Sequence, residues 1–323
     1  MSISGLNELS QGLDEGLRFS SLNEALKTIS NSAVSDSGEC SSRDLHGGCI
    51  NRALILSHSS LPPLVYKYQS RAEPSLFRSE ALGLLALKAA AREAGCSSLR
   101  IPEVYGVMDT GILIAYIEPG RPSPEQTLEF GAELATLHSL DLYSLFSGSH
   151  SQEGGYGFFR DNYIGLSPQS NGAEADWVDF FRTRRLGSQL ELAGRAGYAD
   201  AALEKRMKQL MNRLGDFLPR RPKASMLHGD LWSGNYLFSS RGEGVLIDPA
   251  VYAGHNEADL AMTELFGGFP SSFYRGYREV LPVDREYHTR RDLYNLYHML
   301  NHLNLFGGGY RSSVLGILSS LGF

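Results

Sequence analysis

Between residues 226 and 249 the chain reads MLHGDLWSGNYLFSSRGEGVLIDP, and no other stretch constrains the fold as much. Asp230 is followed five residues later by Asn235 and then, after a short hairpin, by Asp248 at the end of the apolar run 245–247. Asp, Asn and Gly are the usual residues of turns, and a lone His-Gly-Asp reads most simply as one. The whole string carries more. Phosphoryl transfer needs a carboxylate that orients a hydroxyl and accepts its proton, together with hard oxygen ligands that hold magnesium on nucleotide phosphates. These groups must lie close together, which a loop beside a strand end arranges.

The flanking sequence decides between the two readings. Residues 20–31 predict a short helix, and 31–42 a polar loop. Gly47 and Gly48 then form a turn before an alternating strand over 50–56. A second strand, LVYKY at 64–68, follows the break at Pro62-Pro63, and 77–92 predicts a helix with Leu82, Leu85 and Ala89 on one face. Two more strands flank the turn at Thr110-Gly111. The run EPGRPSP at 118–124 marks a boundary. Beyond it helices are expected over 125–139, 176–192, 198–216, from about 256, and over 288–304, interrupted only by the β-like island at 226–249. The expected class is α+β, a bilobal protein-kinase-like fold. A small antiparallel-sheet lobe (1–118) would bind nucleotide and a larger, mostly helical lobe (119–323) would carry catalysis and substrate.

The first half offers the partners such a site requires. A tight turn at Gly47-Gly48 would lie over nucleotide phosphates, although two glycines more often mark a plain turn. Lys67 sits mid-strand and Glu80 follows 13 residues later on the next helix. A strand lysine is commonly a solvent-facing residue; paired with a helix glutamate it holds the α- and β-phosphates of ATP. Where protein kinases carry His-Arg-Asp and Asp-Phe-Gly, this chain has His-Gly-Asp and Asp-Pro-Ala, which points toward kinases of small molecules.

Composition narrows the alternatives. A net charge of −6 argues against general affinity for nucleic acid, and no apolar run is long enough to span a bilayer. The N-terminal residues lack the pattern of a secretion signal. Three cysteines without metal-ligand spacing read as reduced thiols, so a cytoplasmic protein is expected.

The strings GGCIN (47–51), LHGDLWSGN (227–235), IDPAVYAGHNEADLAMTELFGGFP (247–270) and LNHLNLFGGGYRSSVLG (300–316) resemble the fructosamine kinase (ketosamine-3-kinase) family, within the wider aminoglycoside-phosphotransferase and choline-kinase group. YGFFRDNYIG and PQSNG, between 156 and 172, resemble it too, and the likeness runs from about residue 44 onward. The resemblance implies ATP and Mg2+ as cofactors. It implies Asp230 as base, Asn235 and Asp248 as metal ligands, and Lys67 and Glu80 as the phosphate clamp. Ala115, Tyr116 and Ile117 fall at the adenine-binding connection, where many relatives have an acidic residue in place of Ala115. Trp232 is expected beside the acceptor sugar or else in the core, and His302 on the acceptor side. The implied reaction is phosphorylation of the 3-hydroxyl of a ketosamine, free or protein-bound, which leads to deglycation. Rival readings are a kinase of aminoglycosides, choline or amino-alcohols, and an inactive nucleotide-binding regulator.

Other features are weaker. His298 and His302 have the i, i+4 spacing of zinc ligands but no third partner is evident. Of Arg182, Arg184 and Arg185, one buried structural arginine on a solvated face is expected. Glu257 and Asp259 suit a helix start, where one could also brace the catalytic loop. Cys49, in the glycine turn, is either a packed residue or an oxidisable thiol able to switch nucleotide binding.

Overall fold

The computed structural model describes residues 3–29, 41–45, 51–59, 61–73, 75–143 and 155–323. Gly47, Gly48 and Cys49 lie outside the described residues.

Two helices come first, α1 (Ile3–Gly16) and α2 (Leu22–Ile29). An antiparallel sheet follows, built from β1 (Ser41–Asp44), β2 (Arg52–His58), β3 (Leu61–Tyr68), β5 (Val104–Met108) and β6 (Gly111–Ala115), in the order β1-β2-β3-β6-β5. The prolines expected to precede β3 lie inside it. They coincide with a register shift between Leu56 and His58 on β2, where a bulge accommodates residues that lack an N–H for the ladder. Alternation then divides the strands between two cores. Val65, Ile112 and Ile114 face α3 (Leu76–Ala94), whereas Leu64 and Leu113 face α2. Leu82 is buried as expected, but the most deeply buried positions of α3 are Phe77, Ala81, Leu87 and Ala90, and Leu85 and Ala89 are only partly buried, because the helix is covered on more than one side.

After the Pro/Gly run, α4 (Pro124–Ser139) begins with a capping box. Ser123 Oγ accepts from the Gln126 N–H, Gln126 returns the bond to the Ser123 N–H, and Pro124 occupies the first turn. The remainder is largely helical: α5 (Trp177–Phe180), α6 (Ser188–Arg195), α7 (Ala201–Asn212), α8 (Glu257–Thr263), α9 (Ser271–Val280), α10 (Tyr287–Phe306) and α11 (Arg311–Ser320). The single helix expected over 176–192 contains a π-helical segment, Phe181–Gly187. Within it Arg185 is fully buried, its guanidinium 3.9 Å from the Tyr252 ring centroid and bonded to Ser170 O and Asn171 Oδ1.

Short strands frame the island. β9 (Ser225–Leu227) pairs with β12 (Tyr252–Gly254), and β10 (Tyr236–Phe238) with β11 (Gly244–Leu246). β11 also runs parallel to β4 (Leu99–Arg100), which ties the island to the chain just before β5. β7 (Asn162–Ile164) and β8 (Ser167–Gln169) form a separate hairpin. Among the described residues no helix is long and apolar enough to cross a membrane.

Candidate active site

The buried strand β9 delivers His228, Gly229 and Asp230 into a loop. Gly229 has φ +82°, and a Cβ there would lie 2.0 Å from Ala250 O, so only glycine fits. His228 is fully buried, and burial keeps its imidazole below the ordinary histidine value, hence neutral. Its Nε2 meets the Ile247 carbonyl at 2.8 Å and must be the protonated nitrogen; its Nδ1 accepts the Asp230 N–H at 3.3 Å. That one ring joins the Asp230 loop to Ile247, the residue after β11 and before Asp248. Asp259 braces the same loop, accepting from the backbone N–H groups of His228 at 2.6 Å and Gly229 at 2.8 Å, with His138 Nε2 at 3.3 Å.

Asp230 is half-buried with one face open to the cleft. Asn235 Nδ2 donates to its carbonyl at 2.8 Å and to Oδ2 at 3.0 Å. Burial pushes the Asp230 carboxyl up to about 7; the Asn235 bond opposes this and the nearby charges of Asp248 and Asp259 add to it.

Asp248 follows β11 in a left-handed conformation, φ +58°, unusual outside glycine. Such conformations persist where surrounding contacts hold them, often at functional sites. Here the Ile247 N–H is held by Asn235 O at 3.1 Å, and Asp248 Oδ1 lies 2.6 Å from Lys67 Nζ. Lys67 also reaches Glu80 Oε1 at 2.7 Å. It is 8% exposed, which removes the solvent-facing reading of this strand lysine. Burial alone would lower its pKa, but the carboxylates of Asp248 and Glu80 outweigh it and hold the ammonium above its ordinary value. Burial, with the charge of Asp248 adding to it, leaves the Glu80 carboxyl above its ordinary value despite the pull of Lys67.

These groups open into one cleft of about 870 Å³. Ala53, Val65, Ile114, Leu237 and Ile247 line one end beside Ala115, Tyr116 and Ile117. The N–H groups of Ala115 and Tyr116 are already taken, by Glu103 O at 2.8 Å and Pro63 O at 3.0 Å. Asn51 also lines the cleft, and its buried Oδ1 has no partner among the described residues. The other end is aromatic. Trp232 lies edge-on to Phe266 at 6.0 Å, and His302 sits 4.9 Å from Phe266, 5.4 Å from Phe306 and 5.1 Å from Tyr310. Trp232 therefore lines the cleft, and Trp177 is the tryptophan of the core. His302 Nδ1 donates to His298 O at 2.8 Å. Phe266, Phe306 and Tyr310 were not foreseen as site residues. They lie far from Asp230 in sequence, and no spacing signals their convergence.

The fructosamine kinase family model matches residues 22–321. A chloroplastic protein-ribulosamine 3-kinase of Oryza sativa subsp. japonica is 40% identical over 277 residues, covering 84% of this chain and 76% of that protein. The solved structure of a Thermobifida fusca YX-ER1 protein assigned as a fructosamine-3-kinase overlays with a TM-score of 0.76 at 26% identity, covering 93% of this chain and 99% of the other. The streptomycin–ATP ternary complex of APH(2″)-IIa overlays at 0.58 with 14% identity, covering 94% and 97%, a likeness of fold. The N-terminal antiparallel sheet followed by a helical region is thus the expected protein-kinase-like architecture. With a family match spanning nearly its whole length, the chain belongs to the fructosamine kinase family.

Proposed function

We propose that the protein is an ATP- and magnesium-dependent kinase that phosphorylates the 3-hydroxyl of a ketosamine. The observation that carries this reading is Lys67 bridging Glu80 and Asp248 in the same cleft as the Asp230–Asn235 pair. Asp230 is the base. Asn235 holds its Oδ2, leaving Oδ1 to orient the acceptor hydroxyl and receive its proton. An ammonium has three donors; Glu80 and Asp248 take two of those on Lys67, and the third is left for a phosphate oxygen. Ile117 is where the backbone leaves sheet pairing, so its N–H is the natural adenine donor.

Asp248 and the Asn235 Oδ1 would hold magnesium. Among the described residues no group of three or more His, Cys, Asp or Glu could bind a metal alone. That fits an ion carried largely by nucleotide phosphates and water, with one or two protein ligands. When bound, magnesium neutralises charge on the phosphates. The unpartnered Asn51 Oδ1 suits a ribose hydroxyl donor.

The aromatic end favours a ketosamine as acceptor. No carboxylate other than Glu80, Asp230 and Asp248 lines the cleft among the described residues. A polycationic aminoglycoside would find few counter-charges there. A ketosamine brings one ammonium and a polyol, which suit the faces of Trp232 and Phe266 and the remaining ring nitrogen, Nε2, of His302.

Phosphate on C3 adjoins the C2 carbonyl. Enolisation toward C1 prepares its elimination as inorganic phosphate, and water then cleaves the resulting imine to release the amine. The test is ADP release with ribulose-, erythrulose- and fructose-derived amines beside aminoglycosides and choline. Stoichiometric ADP followed, after a lag, by phosphate and free amine is expected, and the lag should persist once the enzyme is filtered away. Phosphorylation of an aminoglycoside without activity on any ketosamine would overturn the acceptor class.

A further inference from the structure

Residues 3–21 precede the part of the chain matched by the family, 22–321, yet they are built into the sheet region. α1 packs along α3, the helix bearing Glu80, with Leu13 only 1% exposed in the core that contains Phe77 and Ala81. Arg78, two residues before Glu80, donates from Nε and Nη2 to the two oxygens of Asp14 at 2.8 and 2.5 Å, and from Nη2 to Ser10 Oγ at 3.0 Å. Asp14 is held below the ordinary carboxylate range, first by the Arg78 hydrogen bonds, against a burial penalty, with the charges of Arg78, Arg160 and Arg18 adding to the effect.

The segment continues around the sheet. The Val107 N–H donates to Leu17 O at 2.7 Å and the Phe19 N–H to Val107 O at 2.9 Å, so the chain runs parallel to the edge strand β5. α2 then packs Ala25 and Leu26 on the opposite face against Leu64 and Leu113. One continuous segment thus covers α3, one edge of the sheet and the face opposite α3. Residues two apart on a helix project about 200° from one another. When Arg78 is held toward α1, Glu80 is turned to the far side, where Lys67 lies at 2.7 Å.

We propose that Asp14 and Arg78 form a latch that sets the rotation of α3, making Asp14 a positioning residue for the Lys67–Glu80 pair. The proposal rests on the phosphate-clamp reading of that pair. A forked arginine–carboxylate contact fixes orientation in a way a single-point ion pair does not.

The experiment uses full-length Asp14→Ala, Asp14→Glu and Arg78→Lys. Asp14→Ala should lower kcat/KM for ATP about three- to tenfold, the range for a positioning contact outside the site, with KM for the ketosamine changed less than about twofold. Asp14→Glu should recover most of the loss. Arg78→Lys keeps the charge without the fork and should match Asp14→Ala, which covers the case of a poorly folding alanine variant. In a Lys67→Met background, Asp14→Ala should cause no further loss, because nothing remains to be positioned. A full additive loss there, or wild-type kinetics for Asp14→Ala, overturns the latch. Hydrogen exchange over Leu76–Ala94 is read on the same variants and does not depend on the reaction. Unchanged exchange in Asp14→Ala overturns the latch, whereas raised exchange in a protein that never transfers phosphate supports the latch and overturns only the kinase reading.

Discussion

Asp259 accepts the backbone N–H of His228 at 2.6 Å, across 31 residues of chain. Its second oxygen takes the Gly229 N–H, so one buried carboxylate fixes two consecutive peptide groups immediately before Asp230. Burial raises its pKa, but these donors and His138 prevail and leave it lowered. Asp259→Ala would strand both N–H groups, at about 1–3 kcal/mol each. Urea unfolding should register that loss, and turnover should fall with it. A variant as stable and active as wild type would mean the loop does not depend on this brace.

Asp230→Asn should reduce turnover by about 10² to 10⁴ while nucleotide affinity stays near wild type, since a general base is not a nucleotide ligand. Single-turnover rates and calorimetry with a non-hydrolysable ATP analogue separate the two. Retention of more than about a tenth of the rate would remove Asp230 from the role of base.

Asp248→Ala should instead abolish the magnesium dependence of nucleotide binding, because the charged ligand to the phosphate-bound ion is gone. Lys67 would also lose one of its two carboxylate partners. Titrating the analogue with and without magnesium checks this, and equal affinities for variant and wild type would place the metal elsewhere.

The string around Asp230 was legible because its chemistry is local: the Asp230–Asn235 bond spans five residues. The Lys67–Glu80 contact was legible for a related reason, since a strand followed directly by a helix brings those positions together. The aromatic end was not. Trp232, Phe266, Phe306 and Tyr310 come from separate elements, and it is the packing of α10 against α8, with Phe266 in the turn that follows α8 touching both Trp232 and His302, that brings them to one mouth. Phe266 has φ +54° and precedes two glycines also at positive φ, a turn whose direction no hydrophobic period announces. α1 did carry a signal, in Leu9 and Leu13 four apart with Leu17 just past its end, but nothing in the sequence named α3 as its partner. The sequence indicates one buried arginine among Arg182, Arg184 and Arg185 without saying which, and the π-helical segment is what places Arg185 inside.

Two histidines make stability depend on pH. Burial first, and then the charge of Arg290, pushes His255 down to about 3; burial, with His302 and Arg185 nearby, does the same to His298. Both remain neutral in the fold, while in the unfolded chain they bind protons below about 6.5. The unfolded state therefore holds more protons between about 6.5 and 3, and stability falls as pH falls through that window, by about 1.4 kcal/mol per pH unit for each histidine. Denaturant unfolding at pH 7.5, 6 and 5 should show a plateau and then a decline. His298→Asn should make the decline shallower. The Asp230 carboxyl, pushed up to about 7 by burial, takes up a proton in the folded state over the same range and opposes the decline, so the histidine part is read from the difference between wild type and His298→Asn. Identical profiles for the two would show that the His298 ring is protonated in the folded protein.

The acceptor role proposed for Trp232 can be tested kinetically. It lines the cleft two residues after Asp230, edge-on to Phe266, whereas the nucleotide end is bounded by Val65, Ile114 and Leu237. An aromatic face that covers the C–H surface of a polyol or meets an ammonium contributes about 0.5–2 kcal/mol, which corresponds to roughly a two- to thirtyfold change in affinity. Trp232→Ala should therefore raise KM for the ketosamine within that range and leave KM for ATP unchanged. Trp232→Phe should recover part of the loss, because a smaller ring still presents a face. Phe266→Ala removes the neighbouring ring from an exposed position, 43% accessible, and should act on the same constant with little effect on folding. Measuring both constants for all three variants distinguishes acceptor binding from general damage to the loop, since damage at Asp230 would depress kcat in every case. If Trp232→Ala shifts KM for ATP, or lowers kcat while KM for the ketosamine holds, Trp232 supports the loop and the acceptor lies elsewhere in the cleft.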